Sequence, residues 1–389
     1  MNKDFRRKID LDLPKNKSAF LLGPRKVGKS TYLKENFSEG VYIDLLDTKQ
    51  FIEYKNSPWL LTERMESLVE SGDEKLKFPV VIDEIQKVPL LLNEVHRMIE
   101  GMDVRFILCG SSARKLRREG ANMLGGRAWM YEMFPLVFPE IQDFDLLGIL
   151  NKGKIPVHYL SDYSKRDIED YIASYLKEEI LNEGIARNLR AFTKFLEIAS
   201  YSNSEILNYS NVARDVEVDA KTVKGYYQIL VDTLIGNYVF PFKENKSRDE
   251  VLDSPKFYLF DTGVAQFLRG VELLSEGGEA FGHAFEHFIY TEIVAHSSYS
   301  AKRYSVEYWR TRGGAEVDFV LGGGELAVEV KGSSHVNGHA LRGMYEFKKQ
   351  TGLDNVLVVT NEDRERIHNG VHLVPYKVFL ERLWNDDLI

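Results

Sequence analysis

The sequence predicts an α/β protein with a parallel-sheet core, and three observations lead there. A phosphate-binding loop stands between a short apolar strand and a helix start. Further apolar runs of strand length alternate with helical stretches. Far downstream, neighbouring strand-like segments carry two acids and a lysine at a fixed spacing. Continuous apolar strands alternating with helices imply a parallel sheet covered by helices on both faces.

The first element is the run Ala19-Phe20-Leu21-Leu22, a good strand. It leads into Gly23-Pro24-Arg25-Lys26-Val27-Gly28-Lys29-Ser30, a complete G-x-x-x-x-G-K-[ST] loop, and Thr31 opens a helix. Each residue type has its own task. Gly23 and Gly28 allow the tight turn that points several N–H groups at one place. Lys29 can bridge two phosphates, and the Ser30 hydroxyl can ligate Mg²⁺. The helix N-terminus adds its dipole to the cradle. Gly23 through Thr31 are therefore the candidate nucleotide-binding residues.

Val41-Tyr42-Ile43-Asp44-Leu45 reads as a second strand, and Pro79-Val80-Val81-Ile82-Asp83-Glu84 as an apolar strand ending in two acids. A buried strand of this kind delivers Asp83 to the Mg²⁺ shell and leaves Glu84 to polarise an attacking water. Arg105-Phe106-Ile107-Leu108-Cys109 follows and ends at Gly110-Ser111-Ser112, where Ser112 is placed to sense a terminal phosphate. A glutamate beside the metal-binding aspartate, with a strand between the two motifs, favours the additional-strand ATPases over the GTPase or kinase branches. ATP and Mg²⁺ are the implied ligands. Arg127, in Gly125-Gly126-Arg127, is a candidate for stabilising transition-state charge. It would act within the chain or from a neighbouring copy, the latter implying a homo-oligomer; otherwise it is a surface arginine in a glycine loop.

The loop, the segment Asp83-Glu84-Ile85-Gln86-Lys87-Val88-Pro89, Gly110-Ser111-Ser112 and Gly126-Arg127 together resemble prokaryotic AAA+ ATPases whose C-terminal halves are a domain of unknown function. The similarity runs from about residue 15 to about residue 360. Ser30 stands where many members carry threonine, which supplies the same hydroxyl. The resemblance implies an AAA+ P-loop core and a typical domain order.

Punctuation and pattern divide the chain into residues 1–155, 156–270 and 271–389. Pro135 to Pro139 turns out of the first part. From about 165 to 235 the pattern is helical, with Tyr171, Tyr175, Ile180 and Leu181 near a 3.6 period. A short helix at Asn211–Val216, a turn at Glu217–Asp219, a second helix from about Ala220 to Leu234 and a β-turn at Gly236–Phe240 give the outline of a winged helix-turn-helix. On that reading Lys221, Thr222, Lys224 and Gln228 face a DNA groove, although Glu217, Asp219 and Asp232 dilute the positive charge. The bland alternative is a helical lid. The basic run Arg114-Lys115-Leu116-Arg117-Arg118 is a further candidate for phosphate contact.

The last part is a nuclease-like constellation. Lys243 to Ser254 is a polar linker or wing loop, and order resumes in a strand from Pro255 to Asp261. Tyr308-Trp309-Arg310, Glu316-Val317-Asp318-Phe319-Val320 and Ala327-Val328-Glu329-Val330-Lys331 read as three strands, so that Asp318 and Glu329 are separated by ten residues and Glu329-Val330-Lys331 gives Glu-x-Lys. This pattern resembles the restriction-endonuclease-like superfamily. Two adjacent strands would present Asp318 and Glu329 to one divalent metal, with Lys331 on the same face as Glu329. Glu286, on a preceding helix, would complete the shell around Mg²⁺ or Mn²⁺. His283 and His287 flank it and read as packing or surface residues. A fold that binds DNA or a protein without cutting is the rival reading, and an ATP-gated switch its functional form.

Composition narrows the classes. With 389 residues, 44% hydrophobic and 28% charged, the chain is long enough for two or three cores. A net charge of −8 argues against a protein coated in nucleic acid, while leaving room for a local basic face. Cys109 is the only cysteine, so no internal disulfide forms and a reducing cytoplasm is the expected location. The Met1–Lys8 stretch has no apolar segment after its charges, and no run approaches the roughly 20 apolar residues of a membrane span.

Overall fold

The computed structural model describes residues 5–14, 17–111, 124–176, 189–243, 254–271 and 274–389. Ser112, the basic run from Arg114 to Arg118, and the pair Ile180 and Leu181 therefore lie outside the described residues, as does the side chain of Tyr175. The chain forms two compact units. One comprises Ile9–Phe134 with Asp232–Ile235; the other comprises Met1–Lys8, Pro135–Val231 and Gly236–Ile389. Residues 135–155, expected with the first part, thus pack within the second unit. The expected boundary after residue 270 also falls inside that unit.

In the first unit, β1 (Ser18–Leu22), β2 (Tyr42–Asp44), β3 (Val80–Asp83), β4 (Phe106–Gly110) and β5 (Ala128–Glu132) form a parallel sheet in the order β2-β3-β4-β1-β5. Strand β4 stands between β1 and β3, the inserted strand that the motif order implied. Every residue of β1, β3 and β4 is buried, because helices cover both faces of a parallel sheet. Phe20, Ile43, Ile82, Phe106 and Leu108 pack with Leu91, Val95 and Met98 of the Leu91–Gly101 helix. Each such side chain contributes about 1.5–3 kcal/mol when fully buried. Edge strand β5 instead leaves Trp129 and Met130 partly in solvent. Because the strands are parallel, Leu22, Asp83 and Gly110 all end at one edge of the sheet, which is where the candidate site forms.

The second unit holds an eight-stranded mixed sheet. In chain order its strands are β6 (Gly236–Pro241), β7 (Lys256–Leu259), β8 (Val306–Arg310), β9 (Glu316–Leu321), β10 (Leu326–Lys331), β11 (Val356–Thr360), β12 (Arg366–His368) and β13 (Val371–Pro375). In space they run β12-β13-β11-β10-β9-β8-β6-β7. Strands β8, β9 and β10 pair antiparallel, whereas β11 runs parallel to β10. That return is made through the Arg342–Thr351 helix, as a parallel connection requires. Alternation sorts the side chains of β10. Leu326, Val328 and Val330 join one core with Phe281, Phe285, Phe288 and Ile289 of the Gly278–Tyr299 helix, while Ala327 joins the other with Met344 and Phe347. Glu329 and Lys331 share the parity of Ala327, which sets them on that second face.

The helix-turn-helix outline is present as helices Tyr209–Val216 and Ala220–Asp232. Asn208 caps the first by accepting from Asn211 N at 3.1 Å, and Asp219 caps the second through Thr222 N at 2.9 Å. The expected β-turn from Gly236 is instead strand β6. It pairs antiparallel with β7 as a hairpin and parallel with β8 over Phe240 and Pro241. The hairpin is therefore part of the C-terminal sheet, a consequence of the apolar alternation continuing through Val239.

Candidate functional site

The phosphate-binding loop joins β1 to the helix Lys29–Asn36. Its glycines are demanded by geometry. Gly28 sits at φ 98°, in the left-handed region, and a Cβ on Gly23 would lie 2.4 Å from the Met133 carbonyl oxygen. Lys29 is buried, and its Nζ donates to the Gly23 and Pro24 carbonyls at 2.8 Å each. It makes no ion pair among the described residues. A buried ammonium hydrogen-bonded only to neutral carbonyls is poised for an anion, since a buried charge gains most from a close opposite charge. Ser30 and Thr31 follow on the same first helical turn.

Asp83 ends β3 and is 1% exposed. Its Oδ2 accepts from the Tyr42 hydroxyl at 2.7 Å, and its Oδ1 from Glu84 N at 3.1 Å. Glu84 sits at φ 59°, a conformation most side chains avoid. Gln86 explains where the Glu84 carboxylate goes. The Gln86 Nε2 donates to Glu84 Oε2 and, at 3.1 Å, to Ser111 Oγ. Burial raises the Glu84 carboxyl above its ordinary range, and the nearby Lys29 and Arg25 charges oppose that rise. Gln86 and Tyr42 were not assigned roles from the sequence. Both are visible only once β2, β3 and β4 are aligned.

This donor set fits a nucleoside triphosphate with Mg²⁺: a glycine cradle, a buried ammonium, a helix N-terminus and two carboxylates converge at one sheet edge. Arg127 does not. Its carbonyl accepts from Ser18 N, at the start of β1, and its guanidinium pairs with Glu100. It therefore lies at the edge opposite the loop, a full strand length away. An in-chain role in charge stabilisation is corrected on that ground.

In the second unit, a cleft of about 350 Å³ gathers Lys256, Glu286, Glu316, Asp318, Glu329 and Lys331. Adjacent strands bring the two expected acids together: Asp318 N donates to Glu329 Oε2 at 3.3 Å and Val330 N to Asp318 Oδ2 at 2.8 Å. Lys331 Nζ reaches Glu329 Oε1 at 2.5 Å. Burial pushes the Glu329 carboxyl up to about 8, with the Asp318 charge adding to it. Glu286 is pushed up to about 7 by burial, against the pull of Lys256.

Lys256 is the residue that sequence reading passed over. It enters from β7, is 3% exposed, and its Nζ lies 2.6 Å from Glu316 Oε1, 3.4 Å from Glu286 Oε1 and 3.6 Å from Asp318 Oδ1. Burial disfavours its charge, but Glu286, Asp318 and Glu316 outweigh that and keep it protonated. Tyr258, two residues on, donates to Glu286 Oε1 at 2.6 Å. The expectation of a divalent metal held by Glu286, Asp318 and Glu329 meets the Lys256 ammonium beside two of those acids, Glu286 and Asp318. Among the described residues no group of three or more His, Cys, Asp or Glu side chains is arranged to hold a metal ion. The metal does not fit this cluster as it stands. His287 is buried, its Nε2 set 2.5 Å from the Leu259 carbonyl, and burial lowers its pKa to about 4.

Lys221, Lys224 and Gln228 are exposed on the Ala220–Asp232 helix, with Lys224 Nζ 5.1 Å above the Tyr209 ring. Thr222 is committed elsewhere, its hydroxyl donating to Asp219 Oδ2 at 2.6 Å. Among the described residues no helix is long and apolar enough to cross a membrane.

Three family models match the chain. Residues 15–142 match an AAA domain, residues 149–275 a domain of unknown function (DUF8612), and residues 281–379 another (DUF4143). The first match supports an AAA-type P-loop ATPase domain at residues 15–142. Uncharacterized proteins of Mycobacterium bovis and Mycobacterium tuberculosis are each 24% identical over 268 residues, covering 66% of this chain. The chain spans 59% of the length of those curated relatives. Among solved structures, the Walker-type ATPase paby2304 of Pyrococcus abyssi is similar at 17% identity and a TM-score of 0.43, over 64% of this chain and 90% of that one. The Aeropyrum pernix ORC1 protein in complex with DNA is similar at 14% identity and a TM-score of 0.24, over 65% and 86%.

Proposed function

We propose that the chain is a cytoplasmic ATP-hydrolysing switch of the AAA type that holds DNA, its C-terminal part being a restriction-endonuclease-like fold that binds rather than cuts. The observation that carries the ATPase reading is the convergence of Lys29, Ser30, Asp83 and Glu84 at one edge of a parallel sheet. Lys29 exchanges the Gly23 and Pro24 carbonyls for phosphate oxygens, and the loop N–H groups hold the rest of the phosphate chain. Ser30 and Asp83 would hold Mg²⁺, which when bound draws charge from the phosphate oxygens. Glu84, once free of Gln86, takes a proton from the attacking water as the bond to the terminal phosphate breaks and ADP departs. Gln86 bridges Glu84 and Ser111, so it couples the base to the end of β4. Ser112 would sense the terminal phosphate. Arg127 is kept for a neighbouring copy's nucleotide in a homo-oligomer.

The helix order and the exposed Lys221, Lys224 and Gln228 support DNA as the polymer held, through a helix-turn-helix arrangement. The C-terminal order of helix, three antiparallel strands, helix and parallel strand supports the restriction-endonuclease-like reading. Phosphodiester cleavage by Asp318, Glu329 and Lys331 is the second reading, favoured by their common cleft. Lys256 weighs against it.

The DNA reading is tested by fluorescence anisotropy of a labelled duplex against salt. Each phosphate contact adds about 0.9 to the slope of log affinity against log salt. Lys221→Glu with Lys224→Glu is expected to weaken binding at least tenfold and lower the slope by about 2. Unchanged affinity and slope would remove this helix from the interface.

A further inference from the structure

The C-terminal cluster has the outline of a metal centre and the contents of an ion-pair network. Four of the cleft's five carboxylates, Glu286, Glu316, Asp318 and Glu329, gather there with two lysines, the fifth being Glu205. The two lysines have different stations. Lys331 lies beside Glu329 at the end of the strand that supplies them both. Lys256 comes from a separate strand and touches three acids on two elements: Glu286 on the Gly278–Tyr299 helix, and Glu316 and Asp318 on β9. A hard divalent cation needs several of these oxygens at about 2.0–2.6 Å from one centre. The Lys256 ammonium stands within 3.6 Å of an oxygen of each of Glu286, Glu316 and Asp318.

Other contacts fix this arrangement. Tyr258, on the same strand as Lys256, donates to Glu286 and so orients it toward the ammonium. Arg310 NH1 lies 3.1 Å from Glu316 Oε2, the oxygen not used by Lys256. Lys256 Nζ also sits 5.7 Å from the Tyr308 ring centroid, so an aromatic face supports the charge from β8. Its side chain is 3% exposed, so the ammonium is held among the acids and not in water.

We infer that Lys256 is the resident cation of this cleft: its ammonium takes the position a divalent ion would occupy, and the acid cluster is closed to metal by its own chain. The cleft then has no ion to lower the pKa of a bound water, and a phosphodiester held there is not hydrolysed. The inference stands on the cluster alone, and its failure leaves the nucleotide chemistry of the first unit untouched.

The test is Mn²⁺ binding, read by electron paramagnetic resonance as free Mn²⁺ on titration. It uses nucleotide-free wild type, Asp318→Asn, Lys256→Gln and the double variant, each with and without a short DNA duplex. Wild type and Asp318→Asn are expected to give superimposable titrations. Lys256→Gln is expected to gain one bound Mn²⁺, lost again in the double variant. Wild-type binding that disappears in Asp318→Asn would overturn the inference, as would a folded Lys256→Gln that gains no ion. Should Lys256→Gln not fold, the wild-type and Asp318→Asn pair decides the matter by itself.

Discussion

Lys29→Ala is expected to weaken ATP binding by roughly 100-fold. The estimate follows from what the ammonium does. Hydrogen bonds to charged groups are worth about 1.5–3 kcal/mol each, and 100-fold corresponds to about 2.7 kcal/mol. Lys29 can give one such bond to each of two phosphate groups. Because Nζ is held by the Gly23 and Pro24 carbonyls, it is already inside the loop and loses little freedom when it turns to phosphate. Removal leaves those carbonyls without their partner, so the loop itself loosens. Calorimetric titration of ATP into both proteins checks this, with circular dichroism to show that the variant is folded. Wild-type affinity in a folded Lys29→Ala would remove the loop from nucleotide binding.

Glu84→Gln is expected to lower ATP turnover by roughly 100-fold or more while leaving ATP affinity within about threefold. A positioned general base contributes on the order of 10²–10⁴ in rate. Glutamine keeps the shape and can still accept from the Gln86 amide through its oxygen, so the fold at φ 59° is preserved. It cannot take a proton from water. Burial raises the Glu84 pKa, which makes the carboxylate a better proton acceptor, while Lys29 and Arg25 limit the rise. Phosphate release under saturating ATP measures the rate, and calorimetry the affinity. An affinity loss equal to the rate loss would mean that Glu84 binds nucleotide instead of activating water.

Much of the first unit was legible in the sequence for a physical reason. Parallel strands buried on both faces read as unbroken apolar runs, so β1, β3 and β4 were found within one or two residues of their observed ends. The phosphate loop was legible because its backbone turn needs glycine at fixed places. Gln86 lies in a motif that gives it no role by sequence alone, since its link to Ser111 depends on β3 and β4 being neighbours. Arg127 shows a signal that was available. It precedes its strand, and in a parallel sheet the residues before a strand lie at the edge away from the C-terminal ends.

The second unit was legible in pattern and less so in consequence. Asp318, Glu329 and Lys331, which stand out by their spacing, line one cleft. Lys256 escaped because nothing local marks it. A lysine at the start of an apolar strand reads as an exposed flanking charge, and only the pairing β8-β6-β7 turns it toward Glu316 and Asp318. The same pairing absorbed the hairpin into the large sheet. Long-range register decided both, and a single sequence carries little record of it.

In the proposed switch, ATP occupancy controls the grip on DNA. Two coupled sites typically differ by about 1–3 kcal/mol between states, or roughly 5–150-fold in affinity. The direct measurement is duplex DNA affinity of Glu84→Gln by anisotropy at fixed salt, with no nucleotide, with ADP and with ATP, the variant preventing turnover during the titration. ATP is expected to tighten DNA binding at least fivefold over the nucleotide-free and ADP states. Equal DNA affinity in all three, in a protein shown by calorimetry to hold ATP, would contradict it.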